Sequence, residues 1–218
     1  VKLYSYFRSS AAYRVRIALN LKGLEYDAIP VHLLKQGGEQ LTPAYRKVNP
    51  QALVPALVDG AADELHITQS LAIMEYLDET HPQPPLLPPA AADRAYVRGI
   101  ALAIACEIHP LNNLRVLRYL KHALHVSDDD KDAWYRHWCT QGLAEVEAMV
   151  ASDARTGVFC CGDTPTIADC CLVPQIGNAL RMNCDLSAMP TIMRIRDACL
   201  ALDAFIKAAP ENQPDAEP

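Results

Sequence analysis

The chain has 218 residues, half of them apolar, and a formal net charge of −6. That length allows one large domain or two small ones with a real core. The acidic balance and the lack of a long basic run argue against a nucleic-acid partner, and no apolar stretch approaches the roughly 18 residues of a membrane span. The first residues lead straight into a strand-like run without a signal-peptide layout, so a cytoplasmic location is expected. All eight cysteines lie at or after Cys106, and the seven histidines are scattered. Cys160-Cys161 and Cys170-Cys171 are adjacent pairs rather than C-x-x-C clamps. They read as reduced thiols behaving as small buried hydrophobes, and no metal is expected.

In chain order, Lys2 to Phe7 has the aromatic content of a strand. Ser9-Ser10 then opens a helix running to about Lys22, which Gly23 stops. Glu25 to Leu33 reads as a second strand, with Pro30 marking an edge or a bulge. After the break at Gly37-Gly38, Leu41 to Val48 forms a short helix. Ala52 to Val58 is a third apolar run, containing Pro55. Asp59-Gly60 turns the chain, with Ala61-Ala62-Asp63 lengthening the loop before the returning strand Glu64 to Ile67. A helix starts at Gln69-Ser70 and runs to about Thr80. The order βαβαββα implies a small mixed sheet with helices packed on it.

Five prolines between Pro82 and Pro89 then mark a boundary, which divides the chain into 1–81, a linker at 82–92, and 93–218. Asp93 to Ile108 is a helical pattern ended or kinked at Pro110, and Leu111, Leu114, Leu117 and Leu120 continue at helical spacing. Asp128 to Ala151 is a further helix carrying Trp134 and Trp138 one turn apart. Thr166 and Asp169 have capping-box form before the apolar run Cys170 to Leu180. Pro190 opens a final helix to about Phe205, and Ala208 to Pro218 is expected to be a loose tail.

The stretch Arg8 to Leu19 (R-S-S-A-A-Y-R-V-R-I-A-L) carries the most chemistry. Two hydroxyls and an arginine at a helix N-terminus make an electropositive place that binds anions and stabilises a thiolate. The same serines also read as plain helix caps.

Taken together, the chain resembles the cytosolic glutathione S-transferase superfamily, a thioredoxin-like α/β domain followed by an all-α domain. Within it, S-Y-F-R-S-S-x-x-Y-R-V-R-I-A-L is similar to the zeta-class signature. Further matches follow in register at Asn49-Pro50, Val54-Pro55, His66 to Ile73, Ile108 to Leu114, and Cys171 to Gln175. Zeta-class enzymes are glutathione-dependent cis–trans isomerases of maleyl diketo acids, maleylacetoacetate in one branch and maleylpyruvate in another. The resemblance implies reversible thiolate addition and bond rotation, with glutathione as a regenerated cofactor, a small dianionic substrate and a homodimer. It implies no metal, no nucleic acid and no membrane partner. A glutathione-conjugating transferase and a catalytically silent binding protein are the alternatives.

Residue by residue, the resemblance makes Ser9 the group that holds the cofactor thiolate, with Ser10 beside it. Val54, before Pro55, would offer its main chain to the cofactor by a one-residue strand addition. Gln69 and Ser70 would take the γ-glutamyl carboxylate, and Gln40, His109, Asn113 and Arg115 match further cofactor positions. Arg8, Arg181 and Arg115 would hold the substrate carboxylates, because a guanidinium fork grips a carboxylate with two bonds. Arg14 and Arg16 read as structural, and Tyr4 and Tyr6 as poor thiol activators. Ala11 stands where the family carries a cysteine, so a protein thiol is not the nucleophile here.

Overall fold

Four short strands frame the amino-terminal half: β1 (Lys2–Ser5), β2 (Asp27–Pro30), β3 (Ala56–Asp59) and β4 (Leu65–Thr68), in the order β2-β1-β3-β4. The β1–β2 pair is parallel and the other two are antiparallel. A parallel pair needs a crossover, and α1 (Ser10–Leu21) supplies it. The computed structural model describes residues 1–60 and 64–217, so the expected loop at Ala61-Ala62-Asp63 lies outside the described residues. Two units emerge, Val1–Leu86 with the chain from Leu200 onward, and Leu87–Cys199. They form the expected α/β thioredoxin-like part and the all-helical part.

The strands are shorter than the sequence pattern suggests. β1 stops at Ser5 because the next residues turn: the Ser9 amide donates to the Tyr6 carbonyl at 2.9 Å. β2 covers only Asp27–Pro30, and it is an outer strand, where a proline costs no ladder bond. α2 (Pro43–Val48) is preceded by a 3₁₀ turn at Glu39–Leu41, and Thr42 caps it. α3 (Ser70–Thr80) follows β4 directly.

The central helix is buried on nearly every side, including Arg14 and Arg16 at 2% and 0% exposure. A buried guanidinium must be saturated with acceptors. Arg16 reaches the Ala208 carbonyl (2.9 Å), the Ser5 hydroxyl (3.0 Å) and the carbonyls of Tyr6 (3.4 Å) and Phe7 (3.1 Å). Its structural reading is borne out. Burial pushes its pKa down to about 10.

Two expectations at the far end are corrected. The final helix does not run unbroken to Phe205. It divides into α8 (Pro190–Leu200) and α9 (Asp203–Ala208). The break lets α9 lie along α1, which supplies the donors: Asn20 Nδ2 to the Ala204 carbonyl, the Tyr13 hydroxyl to Phe205, and Arg16 to Ala208. Nor is the tail loose, and it does not belong to the helical unit. Ala208 is fully buried, Gln213 Nε2 donates to the carbonyls of Lys207 and Ala209, and Ala216 packs on Tyr6, Phe7, Val31, Tyr45 and Val54. The proline and acid content that suggested looseness instead makes a strap of short turns, a 3₁₀ turn at Pro210–Asn212 among them, held by specific contacts.

The helical unit begins with α4 (Ala91–Leu102). Its α-winding gives way to a π-type turn over Ala103–Ile108 and a 3₁₀ turn over His109–Asn112, so the change comes well before Pro110. Pro110 has no amide and crowds the carbonyl four residues back, that of Cys106, and the widened winding relieves both. Helical spacing resumes only at α5 (Leu114–His122), after the Asn113 cap. α6 (Asp128–Ala151) passes the π-type turn closely: a Cβ on Gly142 would come within 2.4 Å of Ile108 Cγ1. α7 (Ile167–Arg181) opens with the expected capping box of Thr166 and Asp169. All eight cysteines are free. Most are buried as expected, whereas Cys106 is exposed and Cys161 half-buried.

Candidate active site

The sheet register gathers the sequence-predicted residues of the first unit at one end of the strands. Tyr4 pairs with Ile29 and Ala56, and Ala56 with Thr68. The chain therefore leaves β1 toward Tyr6–Ser9, enters β3 through Val54-Pro55, and leaves β4 through Gln69-Ser70, all at that end. Tyr6, Phe7, Val31, Tyr45 and Val54 pack as one apolar cluster beneath it.

Ser9 is the N-cap of α1, its hydroxyl oxygen accepting from the Ala12 amide at 3.2 Å. Capping uses one lone pair and leaves the hydroxyl proton to donate elsewhere, so the cap and a thiolate donor are compatible roles for one side chain. Ser10 is buried in the first turn, while Arg8 is exposed with its guanidinium 5.1 Å from the Phe7 ring centre. The peptide bond between Val54 and Pro55 is cis. Among the described residues no hydrogen bond reaches the Val54 amide or carbonyl.

At α3, Gln69 occupies the N-cap with φ 71° and ψ 119°, and its side chain makes no cap bond. A non-glycine residue held there costs about 1–3 kcal/mol and persists only where surrounding contacts impose it. Gln69 Nε2 donates to Gln51 Oε1 at 2.8 Å, and the Ser70 hydroxyl accepts from Arg14 Nη1 at 3.2 Å. Arg14 thus ties the start of α3 to α1, a contact absent from sequence reasoning. The only signal was a charged residue inside an otherwise apolar helix. Gln40 is buried at 6% exposure, its Oε1 without a partner among the described residues and its Nε2 3.4 Å from the Leu33 carbonyl.

In the helical unit, Asn113 caps α5 by accepting from the Arg115 amide at 3.1 Å, and its Nδ2 lies 3.3 Å from His109 Nε2. Arg115 is exposed. Arg181, at the end of α7, is also exposed and donates to Asn178 Oδ1 at 3.0 Å. Burial raises the Tyr135 phenol to about 12, a rise that the charge and hydrogen bond of Arg181 oppose.

Residues 8–80 match the family model of the glutathione S-transferase N-terminal domain. A Vibrio cholerae protein named “Probable maleylacetoacetate isomerase” is 51% identical over 214 residues, covering 98% of this chain and 97% of that one. A solved structure described as holo maleylpyruvate isomerase, a bacterial glutathione S-transferase of the zeta class, superposes with TM-score 0.94 at 45% identity, with full coverage of both chains. This chain belongs to the zeta-class glutathione S-transferases. A further relative, the maleylacetoacetate isomerase of Anaeromyxobacter dehalogenans, was solved with glutathione bound in its active site. It is 43% identical, with TM-score 0.89 and coverage of 99% and 97%. In this zeta-class chain Ala11 follows the serine pair and is half-buried in the first turn of α1. The nearest thiols in sequence begin only at Cys106, in the other unit.

Proposed function

We propose that this chain is a glutathione-dependent cis–trans isomerase that converts a maleyl diketo acid, maleylpyruvate or maleylacetoacetate, to its fumaryl isomer. The observation that carries the reading is the convergence at one end of the sheet of the Ser9 hydroxyl, the unpaired Val54 main chain and the start of α3. Those groups fit an anionic tripeptide thiol. Val54 offers an amide and a carbonyl for one-residue strand pairing, Gln40 adds a buried oxygen without a partner, and Gln69 with Ser70 meets a carboxylate at a helix N-terminus. Glutathione, when bound, supplies the thiolate that adds reversibly to the cis double bond and so permits rotation.

The chain's own residues do the rest. The Ser9 hydroxyl donates its proton's hydrogen bond to the sulfur, with Ser10 beside it, and the α1 dipole favours the anion. His109, Asn113 and Arg115 match further cofactor positions of the family. Arg8 is the cation next to the serines and holds one substrate carboxylate while opposing charge that develops on the adjacent oxygen. Arg181 and Arg115 match the family's positions for the second carboxylate. Fixing both ends limits motion to the bond that must rotate. The enzyme acts as a homodimer in the cytoplasm. Eight unpaired thiols suit a reducing compartment.

The test is product analysis with maleylpyruvate and with maleylacetoacetate, each with catalytic glutathione. The expected outcome is trans acid with no loss of glutathione, the ratio of the two rates naming the substrate. A conjugate formed with stoichiometric loss of glutathione would assign a transferase instead.

A further inference from the structure

The strap after α9 crosses the first unit to reach the loop that carries Ser9. The Phe7 amide donates to Asp215 Oδ2 at 3.0 Å, across 208 positions of chain. The same residue's carbonyl accepts from Arg16 Nη2 at 3.1 Å, and the Tyr6 carbonyl accepts from Arg16 Nη1 and from the Ser9 amide. The peptide units between Tyr6 and Ser9 are therefore gripped twice, by a buried guanidinium from α1 and by a carboxylate from the strap. Asp215 is itself fixed on both sides. Before it, the Gln213 side chain is tied to Lys207 and Ala209. After it, Ala216 packs on the Tyr6, Phe7 and Val54 cluster, and Glu217 pairs with Lys35 and lies 3.6 Å from His32 Nε2.

From this geometry we infer that Asp215 is a positioning residue for the reaction: by accepting from the Phe7 amide it sets where the Ser9 hydroxyl stands. The inference rests on the reading of Ser9 as the thiolate donor. Phe7 is only 4% exposed, so its amide has no ready solvent substitute, and a buried donor left unpaired makes the loop rotate to find another acceptor. Two residues further on, a small rotation displaces the Ser9 hydroxyl relative to a bound sulfur. The charged and titratable groups around this loop are Arg8, Arg16, His32, Lys35, Asp215 and Glu217.

The direction of one measurement separates positioning from simple charge. A carboxylate near a thiol raises its pKa, so removing the charge alone lowers the pKa or leaves it unchanged. Loss of the Ser9 hydrogen bond raises it. In the full chain with bound glutathione, the thiol is titrated by thiolate ultraviolet absorbance for wild type, Asp215→Ala, Asp215→Asn and Ser9→Ala, with the thermal midpoint of each. Asp215→Ala is expected to raise the thiol pKa by about one unit, about a tenfold loss of thiolate below the pKa. Asp215→Asn, whose amide oxygen still accepts from Phe7, is expected to stay within about twofold of wild type. An unchanged or lowered pKa in Asp215→Ala, or an Asp215→Asn shift as large as that of alanine, overturns the inference. If Ser9→Ala leaves the thiol pKa unmoved, the underlying reading of Ser9 falls instead. A Ser9→Ala shift with none in Asp215→Ala defeats the role of Asp215 alone.

Discussion

Ser9 carries two loads on one oxygen, capping α1 through the Ala12 amide while its proton remains to be given. Ser9→Ala is expected to lower unfolding free energy by about 1 kcal/mol, the usual worth of a cap, and kcat/KM at neutral pH by about tenfold or more through loss of thiolate. Ser9→Thr keeps both. Urea unfolding and steady-state rates on the same preparations check this, and a full-rate alanine variant would leave Ser9 a cap only. Ser9 is legible in the sequence because capping is local: a hydroxyl followed by an apolar helical period is enough. Asp215 is not legible, since its partner is a main-chain amide that no residue type announces. Arg14 and Arg16 lie between these cases. Their place in an apolar helix reads as structural, but Ser70, Phe7 and Ala208 as partners do not follow from that.

Among the elements, one ammonium group holds three chain segments together. Lys22, at the end of α1, has a fully buried amine that donates to Asp78 in α3 (2.8 Å) and to the carbonyls of His81 (2.6 Å) and Pro84 (2.8 Å). Asp78 also accepts from the Leu86 amide. Removing one partner of a buried pair leaves the other charge uncompensated. Lys22→Met is therefore expected to cost about 3 kcal/mol, read as a lowered urea midpoint. A loss under about 1 kcal/mol would show that the segments are held by packing alone. The sequence marks this region as a boundary through its prolines, which is a statement about composition. That a lysine sixty positions earlier fastens it is a matter of packing. The same division holds at α8 and α9, where the apolar period continues but the helix breaks and α9 lies along α1.

Across the whole molecule, burial governs the response to alkali. It raises the Tyr135 phenol and the Cys139 thiol each to about 12, and pushes the Tyr45 phenol well above its ordinary value. Between about pH 9 and 12 the unfolded chain has lost protons that the folded chain retains. The unfolded state then binds fewer protons, and stability falls as pH rises. Urea midpoints taken across that range are expected to decline steeply. Tyr135→Phe is expected to flatten the decline by about one proton between the ordinary phenol value and 12. A slope identical to wild type would show that this phenol ionises without unfolding.

What the sequence by itself determined is the βαβαββα order of the first unit, the caps at Ser9 and Thr166, the stop at Gly23 and the confinement of Pro30 to an edge or a bulge. Each is set within a turn or two of its own chain, where hydroxyl, proline and glycine geometry acts directly. The family pattern read from the same residues led to the glutathione S-transferase fold. The tertiary structure alone decided which arginines are buried and which acceptors Arg16 finds, that among the described residues the Val54 main chain stays unpaired, and that the acidic strap returns to the Ser9 loop. Those outcomes depend on which carbonyls and amides packing brings together, and a contact between residues 208 positions apart has no signature in either neighbourhood until the sheet and α1 have formed.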